Sequence, residues 1–500
     1  MRALLINPYT IIPRAWTPYF PDEPLALEYL AAVAADGHQV RIFDCVGEFL
    51  HQYKAMTNGR VRVGAYPEQI RAVIETWRPD LVGITMPFMT IEHTACSIAD
   101  LVKEIDGDIV TVAGGAYVCA VPERVLSKNP SVDIVVVGEG ELTFKELLDK
   151  EANGLDRIKG IVYRKGNNIV RNEPRELIDN LDEIPFPRRD LVPFDNYSSS
   201  LLSGSLRERI NMLATWLRYN RDWDRLGKRL YHAITSGNRA LFRTYSAAKR
   251  ASMLTSRGCP FNCYFCSLHS VYRSRYRMRS SQNVLEEVEM LVKDYGVGAI
   301  GIMDENFNLS KERVIGICEG IIERGLHLTL ISYGMYLAPW LDLETLSLIK
   351  KAGFHEIFFG IENADQEIVT NVLNKKIDLN KVPEVVGLCK NAGIISGGMF
   401  IVGVPGETIK SMEDTVRYAL TSGLEKIQLR TFQPAPGTKL YDDCVKNGWL
   451  VDGYDPSKSV DTSSRSYVRT PEFSPEDVFR IAEKGKKLLR KAGKLDQAVE

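Results

Sequence analysis

The chain has 500 residues, 45% hydrophobic and 25% charged, an ordinary globular composition with room for two to four domains at about 150 residues each. Lys and Arg number 63 against 64 Asp and Glu, so a net charge of -1 offers no whole-chain field for nucleic acid or an anionic membrane. There is no apolar run of about 18 residues, and the opening MRALLINPYT lacks a secretory pattern; nine cysteines then read as thiols or metal ligands of a cytoplasmic protein, excluding secreted, membrane-spanning, disordered and fibrous classes.

Residues 1–150 alternate short Val- and Ile-rich runs with amphipathic stretches. The runs are 2–7, 39–44, 81–85, 108–115 and 133–140; the stretches include 24–37 and 91–105. This alternation predicts a doubly wound, Rossmann-like parallel sheet. A ligand of such a sheet sits beyond the carboxyl ends of the strands, where Asn7-Pro8, Thr85, Gly114-Gly115 and Gly138-Glu139-Gly140 fall.

Residues 151–200 read as a hairpin (158–171) followed by an ordered, extended, proline-rich linker (180–197). Residues 201–250 carry 11 Lys and Arg against 3 Asp and Glu, with Trp216 and Trp223 interleaved. They read as a basic helical insertion, either packed on the core or, through 205–245, touching a membrane or a lipid-like substrate.

In 251–440 the alternation resumes with six strand candidates: 253–256, 298–303, 327–332, 356–361, 397–402 and 426–431. Six strand–helix repeats fit a partial (β/α)6 TIM-type barrel, with its chemistry at the carboxyl ends of the strands. Residues 441–500 read as a helical tail, its last helix starting at Ser474-Pro475-Glu476-Asp477.

The most specific feature follows the first of these strands. Cys259, Cys263 and Cys266 stand at spacing Cys-x3-Cys-x2-Cys within eight residues, while Cys45, Cys96, Cys119, Cys318, Cys389 and Cys444 are scattered singly as small apolar residues. Three thiolates on one loop suit three corners of an iron–sulfur cube and leave its fourth iron open. A zinc site completed by His269, or a redox dithiol, is the competing reading.

This triplet, with Phe265 before its last cysteine, resembles the signature of radical S-adenosylmethionine enzymes. Residues 1–150 resemble the cobalamin-binding domain that precedes the radical domain in one large subclass. The resemblance spans about residues 1–445, including Pro185-Phe186-Pro187. It implies that Cys259, Cys263 and Cys266 bind a 4Fe-4S cluster whose open iron is chelated by S-adenosylmethionine. It further implies that Phe265, Asp304 and Glu305 (with Asn306) bind that cofactor, the acids beside its methionine amino group. Glu362 would contact its ribose or methionine, Gly403 and Pro405 would run along the adenine, and Gln433 would sit in the turn that closes the site. In the first domain Thr85, Gly114, Gly115, Gly138 and Glu139 match positions lining cobalamin. The Asp-x-His-x-x-Gly motif that supplies a lower cobalt ligand is absent, and Asp44-Cys45-Val46 stands near its place. Tyr333 and Tyr336, after the third strand, replace an Arg-containing segment of many relatives and are candidates for substrate contact.

The implied activity is methylation of an unactivated carbon in a small-molecule or lipid-like substrate, through a 5′-deoxyadenosyl radical and methylcobalamin, with an electron donor such as flavodoxin or ferredoxin. The alternative is a cyclase, oxidase or carbon–carbon coupling enzyme using the same cofactors. Methylthiolation, with Cys45, Cys96 and Cys119 on a second cluster, and a non-catalytic cobalamin or redox sensor are weaker readings.

Overall fold

The computed structural model describes residues 1–14, 19, 21–50, 52–56, 59–198, 249–456 and 465–496. The basic segment 201–250, including 205–245, lies outside these residues apart from Lys249 and Arg250. Among the described residues no helix is long and apolar enough to cross a membrane. The chain divides into two compact units: Met1–Asp179 with Glu183–Ser252 and Gly296–Ala299, and Asn180–Asp182 with Met253–Tyr295 and Ile300–Glu500.

The first unit runs β1 (Arg2–Asn7), β2 (Thr10–Pro13), α1 (Leu25–Ala34), β3 (Gln39–Asp44), β4 (Tyr53–Ala55), β5 (Arg60–Val63), α2 (Pro67–Trp77) and β6 (Leu81–Thr85). It continues with α3 (Glu92–Ile105), β7 (Val110–Gly114), α4 (Ala116–Ala120), α5 (Pro122–Lys128), β8 (Ile134–Val136), α6 (Glu141–Asp149), β9 (Ile161–Lys165) and β10 (Asn168–Arg171). Seven strands form one sheet in the order β10-β9-β8-β7-β6-β1-β3. Its five parallel members reverse direction of winding between β1 and β6. Leu4 and Ile6 point into one apolar core while Ala3 and Leu5 point into the other, so both faces of β1 are covered. The hairpin β9-β10 is not free-standing; it extends this sheet as an antiparallel edge. A three-stranded antiparallel sheet, β2-β5-β4, has its own small core of Ile12, Val46, Val61 and Val63.

The linker is ordered but not simply extended. It is interrupted by 3-10 turns at Leu181–Glu183, Arg189–Leu191 and Phe194–Ser198, and Arg189, Phe194 and Tyr197 are buried.

The chain continues with β11 (Arg250–Met253), β12 (Ser256–Arg257), α7 (His269–Tyr272), β13 (Arg277–Met278), α8 (Ser281–Lys293), β14 (Ala299–Ile302), α9 (Lys311–Glu323) and β15 (Thr329–Met335). Then come α10 (Leu343–Lys351), β16 (Phe354–Glu362), α11 (Val382–Ala392), β17 (Ile395–Val402), α12 (Ile409–Thr421), β18 (Lys426–Thr431), α13 (Lys439–Lys446) and α14 (Pro475–Lys491). Strand order β11-β14-β15-β16-β17-β18 makes an open, barrel-like sheet. Phe400 meets Tyr418 of α12 on the helical side, whereas Phe358 stacks on Tyr333 and Lys426 pairs with Glu356 on the inner side. Ser474 caps α14 with Asp477 in a reciprocal box, as its sequence predicts. Beyond α14, Ile427 donates its N–H to the Lys494 carbonyl at 2.7 Å and accepts from Asp496 N–H at 2.9 Å, a short parallel bridge along β18.

Two strand expectations need correction. The first strand of the sheet is Arg250–Met253, not 253–256, because Thr255 and Ser256 turn away to bond Asp304. The third runs to Met335, so Tyr333 lies within it rather than after it.

Candidate functional site

The cysteine loop leaves the sheet through a two-stranded clasp in which β12 and β13 pair antiparallel, Arg257 opposite Arg277. Gly258 opens the loop at φ +83, and a Cβ there would collide with the Arg275 carbonyl oxygen, so only glycine lets the clasp close. The loop is braced from outside. Tyr264 N–H donates to the Leu373 carbonyl at 3.0 Å, Leu440 N–H to the Tyr264 carbonyl at 3.0 Å, and Asn374 Nδ2 to the Asn262 carbonyl at 2.7 Å.

Cys259, Cys263 and Cys266 are half-buried, whereas Cys45, Cys96, Cys119, Cys318, Cys389 and Cys444 are buried. Asn306 Nδ2 donates to Cys259 Sγ at 3.0 Å. Burial pushes all three thiols up, Cys263 to about 11, while the nearby Lys375 ammonium and the backbone N–H groups of Phe261 and Leu268 oppose that rise. Thiolates in such surroundings call for a bound cation. Three half-buried thiols on one short braced loop are a donor set that an iron–sulfur cluster takes from a chain. His269 begins α7, and Phe265 is half-buried in the loop.

Asp304 lies beneath the loop. Its buried carboxylate accepts from Thr255 N–H (2.6 Å), Thr255 Oγ1 (2.5 Å) and Ser256 Oγ (2.5 Å). These bonds give the side chain a scaffold role beside the expected cofactor contact, and its two neighbours reach the loop. Glu305 accepts from Gly258 N–H at 3.2 Å and is raised by burial to about 7; Asn306 meets Cys259. Arg313, buried below, donates to the Thr255 carbonyl at 2.7 Å and the Phe307 carbonyl at 3.1 Å.

At the end of β16, Glu362 adopts φ 71, a left-handed backbone that costs a non-glycine residue about 1 kcal/mol or more. Its buried carboxylate accepts from Lys375 Nζ at 2.8 Å. Burial works against the Lys375 charge, but Glu362 outweighs it and holds the ammonium above its ordinary range. A Cβ on Gly360 would lie 2.6 Å from Lys375 Nζ and 2.7 Å from Glu362 Oε1, so glycine leaves room for the pair. In the loop after β17, Gly403 has φ +84 with Val478 of α14 packed where a Cβ would stand, and Pro405 is buried. Gln433 turns its amide toward the Arg465 carbonyl (2.7 Å) and Thr431 Oγ1 (3.1 Å), leaving its buried Oε1 without a partner among the described residues.

Tyr333 is 38% exposed on the inner side of the sheet. The Tyr336 hydroxyl donates to the Lys376 carbonyl at 3.0 Å, and its ring lies 5.0 Å from Phe261 of the cysteine loop.

In the first unit, Thr85, Gly114 and Gly138 end or follow the adjacent strands β6, β7 and β8, and Thr85 pairs with Gly114 in register. Gly115 has φ +130, and a Cβ would lie 2.7 Å from the Met86 carbonyl; beside Gly114 a Cβ would meet nothing within 4 Å. Beside Gly114 this edge is backbone-lined and open, as a broad flat ligand requires. Glu139 accepts from Ile178 N–H at 2.8 Å. Asp44 is fully buried and accepts from Asn7 Nδ2 (3.0 Å), Val46 N–H (3.0 Å) and Tyr197 Oη (2.7 Å), and Cys45 is also fully buried. Neither is available to a ligand. His38 bonds Asp149 at 2.8 Å.

Sequence reasoning missed Lys375 and Glu407. The signal for Glu407 was an acid directly after Gly403-Val404-Pro405-Gly406; Lys375 hides as one of two adjacent lysines.

Comparison with known proteins follows the same division. The radical SAM superfamily matches residues 253–419 and the B12 binding domain matches residues 17–148. An uncharacterized methyltransferase of Pyrococcus horikoshii is 31% identical over 431 residues, 86% of this chain and 80% of that protein. The anaerobic magnesium-protoporphyrin IX monomethyl ester cyclase of Rubrivivax gelatinosus is 28% identical over 382 residues, 75% of this chain and 60% of that protein. A radical S-adenosylmethionine methyltransferase, TsrM, from Kitasatospora setae, solved with cobalamin and a 4Fe-4S cluster, superposes with a TM-score of 0.68 at 17% identity, covering 99% of this chain and 89% of that one. At that identity the likeness is one of fold.

Proposed function

The chain belongs to the radical SAM superfamily, in the branch that joins a B12 binding domain to the radical domain, and from that premise we propose that it methylates an unactivated carbon of a small-molecule or lipid-like substrate. The cofactors of this branch are a 4Fe-4S cluster, S-adenosylmethionine and cobalamin. When bound, they supply a carbon-centred radical and a transferable methyl group, which side-chain acids and bases cannot.

The chain's own part is to hold and orient. Cys259, Cys263 and Cys266 ligate the cluster, with Asn306 bonded to Cys259. Glu362, Gly403 and Pro405 hold S-adenosylmethionine, with Phe265, Glu305 and Gln433 around it. Thr85, Gly114, Gly115 and Gly138 present backbone to cobalamin. Tyr333 faces the substrate, and an electron donor such as flavodoxin or ferredoxin reduces the cluster.

The observation that carries this reading is the contrast among cysteines: three half-buried on one braced loop, six buried elsewhere. Methyl transfer in particular is supported by the methyltransferase that is 31% identical over 86% of the chain. The cyclase relative favours a second reading, radical chemistry without a net methyl gain. One experiment separates them. Anaerobically reconstituted protein is given S-adenosylmethionine with a deuterated methyl group, a reductant and candidate metabolites. A product heavier by one labelled methyl, formed alongside 5′-deoxyadenosine, is expected. Deoxyadenosine with an unlabelled product that has lost hydrogen or gained oxygen would overturn the methyl-transfer reading in favour of the second.

A further inference from the structure

Strands β16 and β17 pair in parallel, but their register shifts between Gly360 and Glu362. After that irregularity one further pair, Glu362 with Phe400, closes the ladder, and beyond it no strand pairing holds the two following loops together. Side chains take over there. Asn363 Nδ2 donates to Glu407 Oε1 at 2.7 Å, and Glu407 Oε2 accepts from Val404 N–H at 2.8 Å. The Gly403 backbone also hydrogen-bonds this carboxylate. On its other side Asn363 Oδ1 accepts from Asp365 N–H (3.0 Å) and Thr415 Oγ1 (3.2 Å), and Thr415 Oγ1 in turn accepts from Ala364 N–H (3.3 Å). Asn363, Glu407 and Thr415 are all fully buried, so water does not substitute for any lost bond.

The two ends of this chain of bonds lie at the residues that matter. Asn363 directly follows Glu362, whose left-handed backbone needs external support, and Glu407 grips the loop of Gly403 and Pro405. We propose that Asn363 and Glu407 form a positioning clamp that sets the separation of the two loops holding S-adenosylmethionine, so that its binding depends on a hydrogen bond between two residues that do not touch it. The clamp rests on the assignment of that cofactor to these loops.

The donor pattern dictates the test. Glu407 accepts on both oxygens, and Asn363 donates on one side while accepting on the other. Glu407→Gln turns a donor toward a donor, and Asn363→Asp turns a carboxylate toward a carboxylate. The double variant Asn363→Asp with Glu407→Gln restores the bond with reversed polarity: the new amide donates to the new carboxylate, while the Val404 and Asp365 N–H groups keep their acceptors. Affinity for radiolabelled S-adenosylmethionine is measured by equilibrium dialysis on anaerobically reconstituted full-length protein, with iron per chain and thermal unfolding followed in parallel.

Each single substitution is expected to weaken binding about ten-fold at unchanged iron content, and the double to return within about three-fold of the wild type. Should the singles lower thermal stability yet bind as tightly as the wild type, or the double bind no better than the worse single, the clamp is overturned while the cofactor assignment stands. Wild-type protein that carries its cluster but binds no S-adenosylmethionine would overturn the assignment itself, and the clamp with it. If a single variant fails to fold, the double decides: refolding with restored affinity supports the clamp, and refolding without it refutes it.

Discussion

The carboxyl edges of the two sheets are furnished in opposite ways. In the second unit the edge is crowded with polar side chains that are already spoken for: Asp304 by Thr255 and Ser256, Glu362 by Lys375, Asn363 by Glu407. In the first unit the ends of β6, β7 and β8 are mostly backbone, with open space beside Gly114 and positive-φ glycines at 115 and 138, while the ends of β1 and β3 carry the Asn7–Asp44 pair. The first arrangement suits a small, charged ligand that must be held by named atoms. The second suits a wide, flat one that asks only for clearance. One chain thus solves two recognition problems with opposite compositions at equivalent places on a sheet.

The sharpest way to break this contrast is Cys263→Ser. Iron per chain should collapse and deoxyadenosine formation fall by more than about 10³-fold, while bound corrinoid is retained; loss of both cofactors together would mean that the two edges are not independent. Next in size are the glycines. Gly258→Ala and Gly115→Ala each force a Cβ against backbone at positive φ, at an expected cost of about 2–3 kcal/mol. The first should lower iron and spare corrinoid, the second the reverse, both read by metal and corrinoid analysis.

A finer comparison uses two buried aspartates that each satisfy several donors, Asp44 in the first unit and Asp304 in the second. Replacing either by Asn should cost about 2 kcal/mol in urea titrations, yet only Asp304→Asn should reduce cluster content. The smallest effect is a pH dependence. Burial raises Glu407 to about 7, so the folded chain keeps a proton that the unfolded chain releases near its ordinary value. Its contribution to stability is complete below about 4.5 and is lost as pH rises through about 7. Urea midpoints of the apoprotein at pH 5 and pH 8 should therefore differ less in Glu407→Gln than in the wild type.

The alternation of apolar runs located the main sheets because parallel strands covered on both faces must be apolar at successive positions, as Ala3–Ile6 of β1 and Leu81–Ile84 of β6 are. The small sheet β2-β5-β4 escaped notice because its strands are short, and Arg60–Val63 alternates Arg with Val like a surface loop. The strand before the cysteines was placed late because Thr255 and Ser256 look like strand residues but act as donors to an aspartate 48 and 49 positions away. The cysteine triplet was legible because all its chemistry lies within eight residues. Lys375 and Glu407 were not, since their meaning comes from partners 13 and 44 residues distant. Asp304 was picked out by its position, but its three donors gave it a scaffold role that position alone could not reveal.

An open sheet has a raw margin, and on the β18 side residues 494–496 lie along it, occupying both hydrogen-bonding groups of Ile427. Such a margin, once bare, recruits strands from neighbouring molecules. Prising residues 494–496 off it would leave the Ile427 groups bare, so a variant in which this segment is replaced by glycines should clump where the parent stays monodisperse.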